Sequence, residues 1–522
     1  MAVDYSVYLV TDSTPAILGD KDLISVVEAS LRGGVTVVQY RDKHSAKEDV
    51  VAVAKKLHQL TQSYGVPLLI NDRVDVAVEI GCEGVHIGQD DMEIQQARKL
   101  LGPNKIIGVT ASSKEEAARA CQAGADYLGL GTVYSTATYG FLHPLPPVLA
   151  HHNSQLASSK KDTKSIIGPS GVADILAALD AAGHSSIPAV CIGGVNASNA
   201  SAVLAGSASP HKALDGLAVV SAIIAAADPA AASRDLLAKV ITAKIPDVVA
   251  AVGMKTPLSH NMTNLVVQNF AANVALCVGA SPIMSNYAQE AADLARLGGA
   301  LVLNMGTVTP EGLSNYAQAL KAYNQARRPV VLDPVGAGAT SVRREAVQTL
   351  LASGTFAVIK GNQSEIQTVH GAGVTQRGVD SSSSLTVPQR ARLVRSLARQ
   401  RRCVVLLTGP TDLISDGRRT LRVDNGHGYL GMVTGTGCTL GTTVSAMAAA
   451  YEQDALVATV AGTVMFGLAA EMAAQRDHVR GPGSFVPAFL DELFGIRKAT
   501  MQGDSTWLAL AKVAAVDVAD DE

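Results

Sequence analysis

The chain carries little charge and no surplus of either sign. Charged residues make up 17% of its 522 positions, and 43 lysines and arginines against 46 aspartates and glutamates leave a net charge of −3. Such a balance offers polyanions no general attraction, which argues against nucleic acid as a partner. Cysteine is also scarce. Cys82, Cys121, Cys191, Cys277, Cys403 and Cys438 are scattered and form no CxxC pair. Reduced, mostly buried thiols of a cytoplasmic protein are expected. No basic stretch followed by a long apolar core opens the chain, so no signal peptide is read. The longest apolar run, Ala455–Ala470, is shorter than the roughly 20 residues of a membrane span and reads as a buried helix. Neither GxGxxG nor GxxxxGK(S/T) occurs between a strand and a helix, which excludes a dinucleotide fold and a P-loop.

What is present is apolar and rich in glycine: 48% hydrophobic residues and 47 glycines, an α/β profile, in a chain long enough for at least two cores. The first half repeats one unit. Eight apolar runs, "YSVYLVTD", "VTVVQYRD", "PLLIND", "GVHIGQ", "IIGVTA", "YLGLGTV", "AVCIGGV" and "GLAVVSAI", alternate with amphipathic stretches such as "SKEEAARACQAG". Eight regular units predict a closed (β/α)8 TIM barrel over 1–232, in preference to an open doubly wound sheet. An Ala-rich connector follows Ile223, with the boundary near Ser233. The second half, 233–522, has strands "ALVLNMG", "PVVLDPVG", "FAVIKGN" and "CVVLLTG", then "DLISDG" and "TLRVDNG" at hairpin spacing. That pattern predicts a parallel sheet with an antiparallel edge, covered by helices on both faces.

Polar residues collect where the barrel strands end. The second strand gives Gln39, Arg41 and Lys43; the third Asn71 and Asp72; the fourth leads to Asp90 and Asp91; the fifth gives Thr110. The sixth gives Ser135, Thr136 and Thr138, the seventh Gly193 and Gly194, and the eighth Val220 and Ser221. Cations beside carboxylates on one rim suit a diphosphate with Mg²⁺, and the Gly-Gly turn with the Val220–Ser221 backbone suits a second phosphate. His86, inside an apolar run, reads as packing. In the second half, Val433–Gly437 is a Gly/Thr-rich stretch opening a helix, and its free amides suit a phosphoryl group. Cys438, in the first helical turn, is expected to have a lowered pKa.

"QYRDK", "INDRVDVA", "VHIGQDD", "GVTASS", "GLGTVY…T.T", "IGGV" and "VVSAI" together resemble thiamine phosphate synthase from about Tyr5 to Ile224. The resemblance implies coupling of a hydroxymethylpyrimidine diphosphate to a hydroxyethylthiazole phosphate. It places Gln39, Arg41, Lys43, Asn71 and Thr110 on the pyrimidine diphosphate, and Asp72 and Asp91 on Mg²⁺. Thr136, Thr138, Gly194, Val220 and Ser221 fall on the thiazole phosphate. The family pattern wants a lysine directly after "T.T", where Tyr139 stands; removing Tyr139–Ser159 brings Lys160 into that place as a diphosphate-binding cation. The segment 139–159 is therefore an insertion, either a true excursion of the loop or non-coding sequence read through.

"GMVTGTGCTLGTTVSAMAAAY", "LDPVGAGAT", "IKGNQSEI" and "LTGPTDLISDG" resemble hydroxyethylthiazole kinase, a ribokinase-like fold, from about Met254 to Arg476. This implies ATP as co-substrate. Met284 and Gly435 would contact the thiazole, Lys360 and Thr408 ATP, and Asp333 and Glu365 would organise Mg²⁺. Cys438 takes the catalytic position, as general base or in shaping the anion hole. Lys360 stands where many relatives carry Arg. The two resemblances together imply a bifunctional enzyme of thiamine biosynthesis acting on small molecules, with no nucleic acid or membrane partner and as a homo-oligomer. The alternatives are kinase activity alone, or a metabolite-binding scaffold whose barrel the insertion has silenced.

Overall fold

The computed structural model describes residues 3–135, 166–209, 211–371 and 385–518. It divides into two units, Met1–Ala243 and Lys244–Glu522. In the first, each of the eight apolar runs forms a short parallel strand: β1 (Val7–Val10), β2 (Val37–Tyr40), β3 (Leu68–Asn71), β4 (Gly84–Ile87), β5 (Ile106–Ala111), β6 (Tyr127–Leu130), β7 (Ala189–Ile192) and β8 (Gly216–Val219). They pair in chain order, and β8 closes on β1. Helices cover the outside, so both faces of each strand are buried and the strands read as continuous apolar runs. Local capping sets the helix starts: Asp22 accepts from the Ser25 amide at 2.8 Å and Ser113 from the Glu116 amide at 3.2 Å.

The barrel interior holds an aromatic group. Tyr5, Tyr8 and Tyr127 pack with Val10, Val37, Leu69, Val190 and Ala218. Gly108 of β5 makes room for it, because a Cβ there would lie 2.0 Å from Tyr127 Cζ.

The division after Ala243 lies beyond the boundary expected near Ser233. That position falls inside the helix Pro229–Ala243, where Ser233, Leu236, Leu237, Val240 and Ile241 are buried. The helix packs close to the turn after the helix Leu23–Arg32: a Cβ on Gly33 would strike the Ala230 carbonyl at 2.4 Å, and one on Gly34 would strike Leu237 at 2.7 Å. The Ala-rich composition that looks like a connector belongs to a barrel helix.

The second unit is a nine-stranded sheet flanked by helices, the ribokinase-like α/β class that the resemblance implies. Its strands are β9 (Leu258–Met262), β10 (Ser281–Ile283), β11 (Ala300–Asn304), β12 (Val330–Asp333), β13 (Val358–Asn362), β14 (Val404–Thr408), β15 (Asp412–Ser415), β16 (Thr420–Val423) and β17 (Val513–Ala515). The order is β10-β9-β11-β12-β13-β14-β15-β16-β17, parallel as far as β14 and antiparallel beyond. The sequence pattern does not reveal β9, β10 or β17. In β9, "LSHNM", buried Ser259, His260 and Asn261 stand where an apolar run would signal a strand, and side-chain bonds satisfy them. Asn261 accepts from Thr442 at 2.8 Å, and Ser259 Oγ lies 2.9 Å from Ser445 Oγ, both on the helix Thr436–Ala450. The helix Ala455–Ala474 is long and apolar enough to cross a membrane, but 83% of its most apolar window is buried inside the protein.

Candidate active sites

The mouth of the barrel opens into a cavity of about 140 Å³ at the strands' C-terminal ends. Gln39, Arg41, Asn71, Thr110, Gly194, Val220 and Ser221 all line it. Lys43, Asp72 and Asp91 are not on its wall but form a group of their own. Lys43 Nζ is 3.2 Å from Asp72 Oδ2, and the Gly88 amide donates to Asp91 Oδ2 at 2.6 Å. Asp72 takes a left-handed backbone (φ 61°), a conformation non-glycine residues rarely adopt. Burial, and then the neighbouring Asp91 carboxylate, raise its pKa, while Lys43 opposes them. Arg41 pairs with a carboxylate that the sequence reading overlooks, Asp12, at 3.4 Å. Thr136, Thr138, Lys160 and the 139–159 insertion lie outside the described residues.

The Gly193–Gly194 turn needs glycine on two counts. Both residues have positive φ (103° and 67°), and a Cβ on Gly194 would lie 2.7 Å from Tyr134 Cβ. Asn199 fixes the turn by donating to the Gly194 carbonyl at 2.9 Å.

His86 is not simply a packing residue. Its ring lines the cavity, with Nε2 2.8 Å from Thr110 Oγ1 and Nδ1 2.8 Å from the Tyr127 hydroxyl. Its run reads as apolar because alternate residues of β4, Val85 and Ile87, are buried. Tyr8 also lines the cavity, and its sequence context, "VYLV", carries no polar signal.

In the second unit a larger cavity, about 560 Å³, lies among Thr408, Gly409, Asp412, His427, Gly437 and Phe466. That volume is in the range of small-molecule sites. At its edge Gly435 (φ 91°) caps the helix Thr436–Ala450. Beneath this helix start runs a ring of polar contacts. Asn264 Nδ2 donates to Cys438 Sγ at 3.4 Å and to Asn304 Oδ1 at 3.0 Å. Asn304 Nδ2 donates to Asp333 Oδ2 at 2.8 Å, Asp333 Oδ1 faces Lys360 Nζ at 3.0 Å, and Lys360 donates to the Gly437 carbonyl at 2.8 Å.

Cys438 departs from expectation. Burial and the nearby Asp333 push its thiol up to about 11, against the weaker pull of Lys360 and the two asparagines. A helix start lowers a thiol's pKa when cations or solvent share the site; here the desolvation outweighs it. Thr408 lies on the cavity wall, whereas Lys360 is buried behind the helix start with its side chain 4% exposed. Glu365 forms a capping box with Asn362 and also accepts from the Gly336 amide at 2.8 Å. Burial and then Asp333 raise its pKa to about 7. Met284 follows β10 at one edge of the sheet and Thr408 ends β14; both lie at the C-terminal ends of the parallel strands, with four strands between them.

Two family profiles match the chain: "Thiamine monophosphate synthase" over residues 7–157 and "Hydroxyethylthiazole kinase family" over residues 249–499. A "Probable thiamine biosynthetic bifunctional enzyme" of Schizosaccharomyces pombe is 38% identical, with 98% of each chain covered. The chain belongs to the thiamine biosynthetic bifunctional enzymes. The "Thiamine biosynthetic bifunctional enzyme" of Saccharomyces cerevisiae is 35% identical over 94% of this chain and 95% of its own. A "Hydroxyethylthiazole kinase" of Roseiflexus sp. is 45% identical, covering 49% of this chain and 93% of its own. The barrel is thus the synthase domain and the nine-stranded unit the kinase domain, with ATP as the kinase co-substrate.

The two domains differ in their fit to Mg²⁺. In the synthase domain, Asp72 and Asp91 are hard oxygen donors close enough for one to raise the other's pKa, which suits a cation between them. In the kinase domain, Asp333 is already paired with Lys360, and both Glu365 oxygens accept backbone amides. Those two carboxylates suit holding the strand ends in place better than direct ligation. Among the described residues no group of three or more His, Cys, Asp or Glu side chains is placed to hold a metal.

Proposed function

We propose that the kinase domain phosphorylates the thiazole alcohol and the barrel couples the resulting thiazole phosphate to the pyrimidine diphosphate. The observation that carries the synthase reading is the convergence of Gln39, Arg41, Asn71, Thr110, Gly194, Val220 and Ser221, from five different strand ends, on one cavity. Arg41 and Lys43 attract the diphosphate, and the amides around Gly194 and Ser221 receive the thiazole phosphate. Mg²⁺ between Asp72 and Asp91 would neutralise charge on the leaving diphosphate. The carbon–oxygen bond breaks with its electron pair going to diphosphate, and the thiazole nitrogen supplies the pair for the new carbon–nitrogen bond. No nucleophilic side chain is required; the residues position and stabilise charge.

In the kinase domain ATP occupies the cavity beside Thr408, with its terminal phosphate at the amides of Gly435–Cys438. A thiol at about 11 is protonated at neutral pH, which favours the anion-hole role for Cys438 over the general base. Lys360 fixes the helix start through Gly437 and acts on ATP at one remove. Exposed Leu265, Val266 and Leu276 (73%, 70% and 55%), all in the segment between β9 and β10, support a homo-oligomer. The proposed compartment is the cytoplasm.

Two separate assays test the assignment: ATP with hydroxyethylthiazole, and preformed thiazole phosphate with pyrimidine diphosphate. Cys438→Ala should impair only the first and Asp72→Ala only the second. Loss of both reactions from either change, with the fold intact, would refute independent sites. A shortened protein lacking residues 139–159 should match or exceed the full chain in the second assay; detection of a peptide spanning Phe141–Gln155 in the native protein would exclude read-through.

A further inference from the structure

We infer that Tyr8, Tyr127 and His86 are positioning residues that set the direction of hydrogen bonding in the synthase cavity, and thereby select an aminopyrimidine over its oxo counterpart. The inference rests on the pyrimidine reading of this cavity given above.

Six side chains, one from each of β1 to β6, form a continuous hydrogen-bonded chain. Gln39 Nε2 donates to Asn71 Oδ1 at 2.5 Å, and Gln39 Oε1 accepts from the Tyr8 hydroxyl at 2.7 Å. Tyr8 has thereby used its only proton, so in the 2.6 Å contact between the two phenols Tyr127 is the donor. Tyr127 has then used its own and must accept from His86 Nδ1 at 2.8 Å. A neutral imidazole protonated at Nδ1 has a bare Nε2, which accepts from Thr110 Oγ1 at 2.8 Å.

The Gln39 amide fixes the direction of the links from Asn71 as far as His86 Nδ1, and a neutral His86 ring fixes the last one, to Thr110. Both ends of the chain are therefore determined. Asn71, whose oxygen is engaged, offers Nδ2 hydrogens to a ligand, and Thr110, whose proton is engaged, offers lone pairs. Tyr8 and Tyr127 are 1% and 0% exposed, and burial raises both phenols' pKa, so neither becomes an anion that would reverse the order.

A 4-aminopyrimidine presents a bare ring nitrogen next to an N–H donor, which complements these ends. The 4-oxo ring presents N–H next to a carbonyl, which opposes both. A site that leaves buried polar groups unpaired rejects the wrong ligand far more strongly than a site that merely lacks volume.

The test compares kcat/KM for the 4-amino and 4-oxo pyrimidine diphosphates with preformed thiazole phosphate. The full-length enzyme should prefer the amino form by about 100-fold or more. Tyr127→Phe and Tyr8→Phe each cut the chain and let its remainder reverse, so the preference should fall about 10-fold or more, mainly through KM. Because the preference is a ratio, a reduced folded fraction cancels out of it. Undiminished preference in both variants, with the two rates lowered alike, would mean a merely structural role and overturn the inference. If the unaltered enzyme binds the amino substrate but shows no preference, the polarity argument alone fails; if it binds neither pyrimidine, the reading of the cavity fails with it.

Discussion

Lys360 joins Asp333 to the helix start, with Nζ 3.0 Å from the Asp333 carboxylate and 2.8 Å from the Gly437 carbonyl. One ammonium therefore compensates a fully buried acid and fixes the position of the residue before Cys438. Removing it does two kinds of damage that can be measured apart.

Lys360→Met leaves Asp333 buried and unpaired. The kinase domain should lose about 3–5 kcal/mol of stability, the range for breaking one side of a buried pair. The double change Lys360→Met with Asp333→Leu should recover part of the stability but not the phosphorylation. Thermal unfolding of both variants checks this; an unchanged midpoint for the single variant would refute the pairing.

Asp412, on the wall of the larger cavity, proposed to take ATP, has its pKa raised by burial from 3.8 to about 7. The folded state then holds a proton that the unfolded state has released, so stability falls as pH rises from about 4 to 7 and levels off above. Asp412→Asn keeps an acceptor for the Gly409 amide, now at 2.9 Å, and removes the ionisation. It should flatten that part of the stability–pH curve and stabilise the domain above pH 7. Denaturant titrations at several pH values measure it, and parallel curves for the two proteins would contradict the assignment.

Because the Cys438 thiol is pushed up to about 11, it should react with iodoacetamide at pH 7.5 at least about ten times more slowly than an unperturbed thiol. Cys438→Ser, which keeps a small polar group at the helix start, should retain more kinase activity than Cys438→Ala. Alkylation at or above the rate of a free thiol would show that burial does not govern this site.

Gly194→Ala combines a left-handed backbone with a contact at 2.7 Å. The turn must move, and the amide proposed to receive the thiazole phosphate moves with it. KM for the thiazole phosphate should rise about 10-fold or more while the kinase reaction is unaffected, since strain of this kind costs roughly 1–3 kcal/mol. Steady-state kinetics of both half-reactions decide it; an unaltered KM would remove Gly194 from the phosphate site.

The barrel is legible in the sequence because its strands are buried on both faces and most of them lead into polar residues at the mouth. Gln39, Asn71 and Thr110 can be read at those ends. Tyr8, Tyr127 and His86 cannot, because a polar tip turned inward from an apolar strand leaves the surrounding hydrophobic pattern intact. Asp12 lies in view at the end of the first run, but only the fold shows that it faces Arg41. In the second half the parallel core is legible from β11 to β14, while polar β9 conceals a strand whose Ser259 and Asn261 bond to a helix some 180 residues later. The Cys438 expectation misses because a helix start can be recognised from sequence, whereas the depth at which it is buried cannot.

The helix Pro229–Ala243 has a practical consequence for anyone separating the two enzymes. A synthase fragment ended at residue 232 would be cut within that helix, losing the leucines and isoleucine that cover the barrel flank and leaving Gly33 and Gly34 facing water. Such a fragment should precipitate or fold poorly, and its inactivity would say nothing about catalysis. A cut after Ala243 keeps the flank sealed.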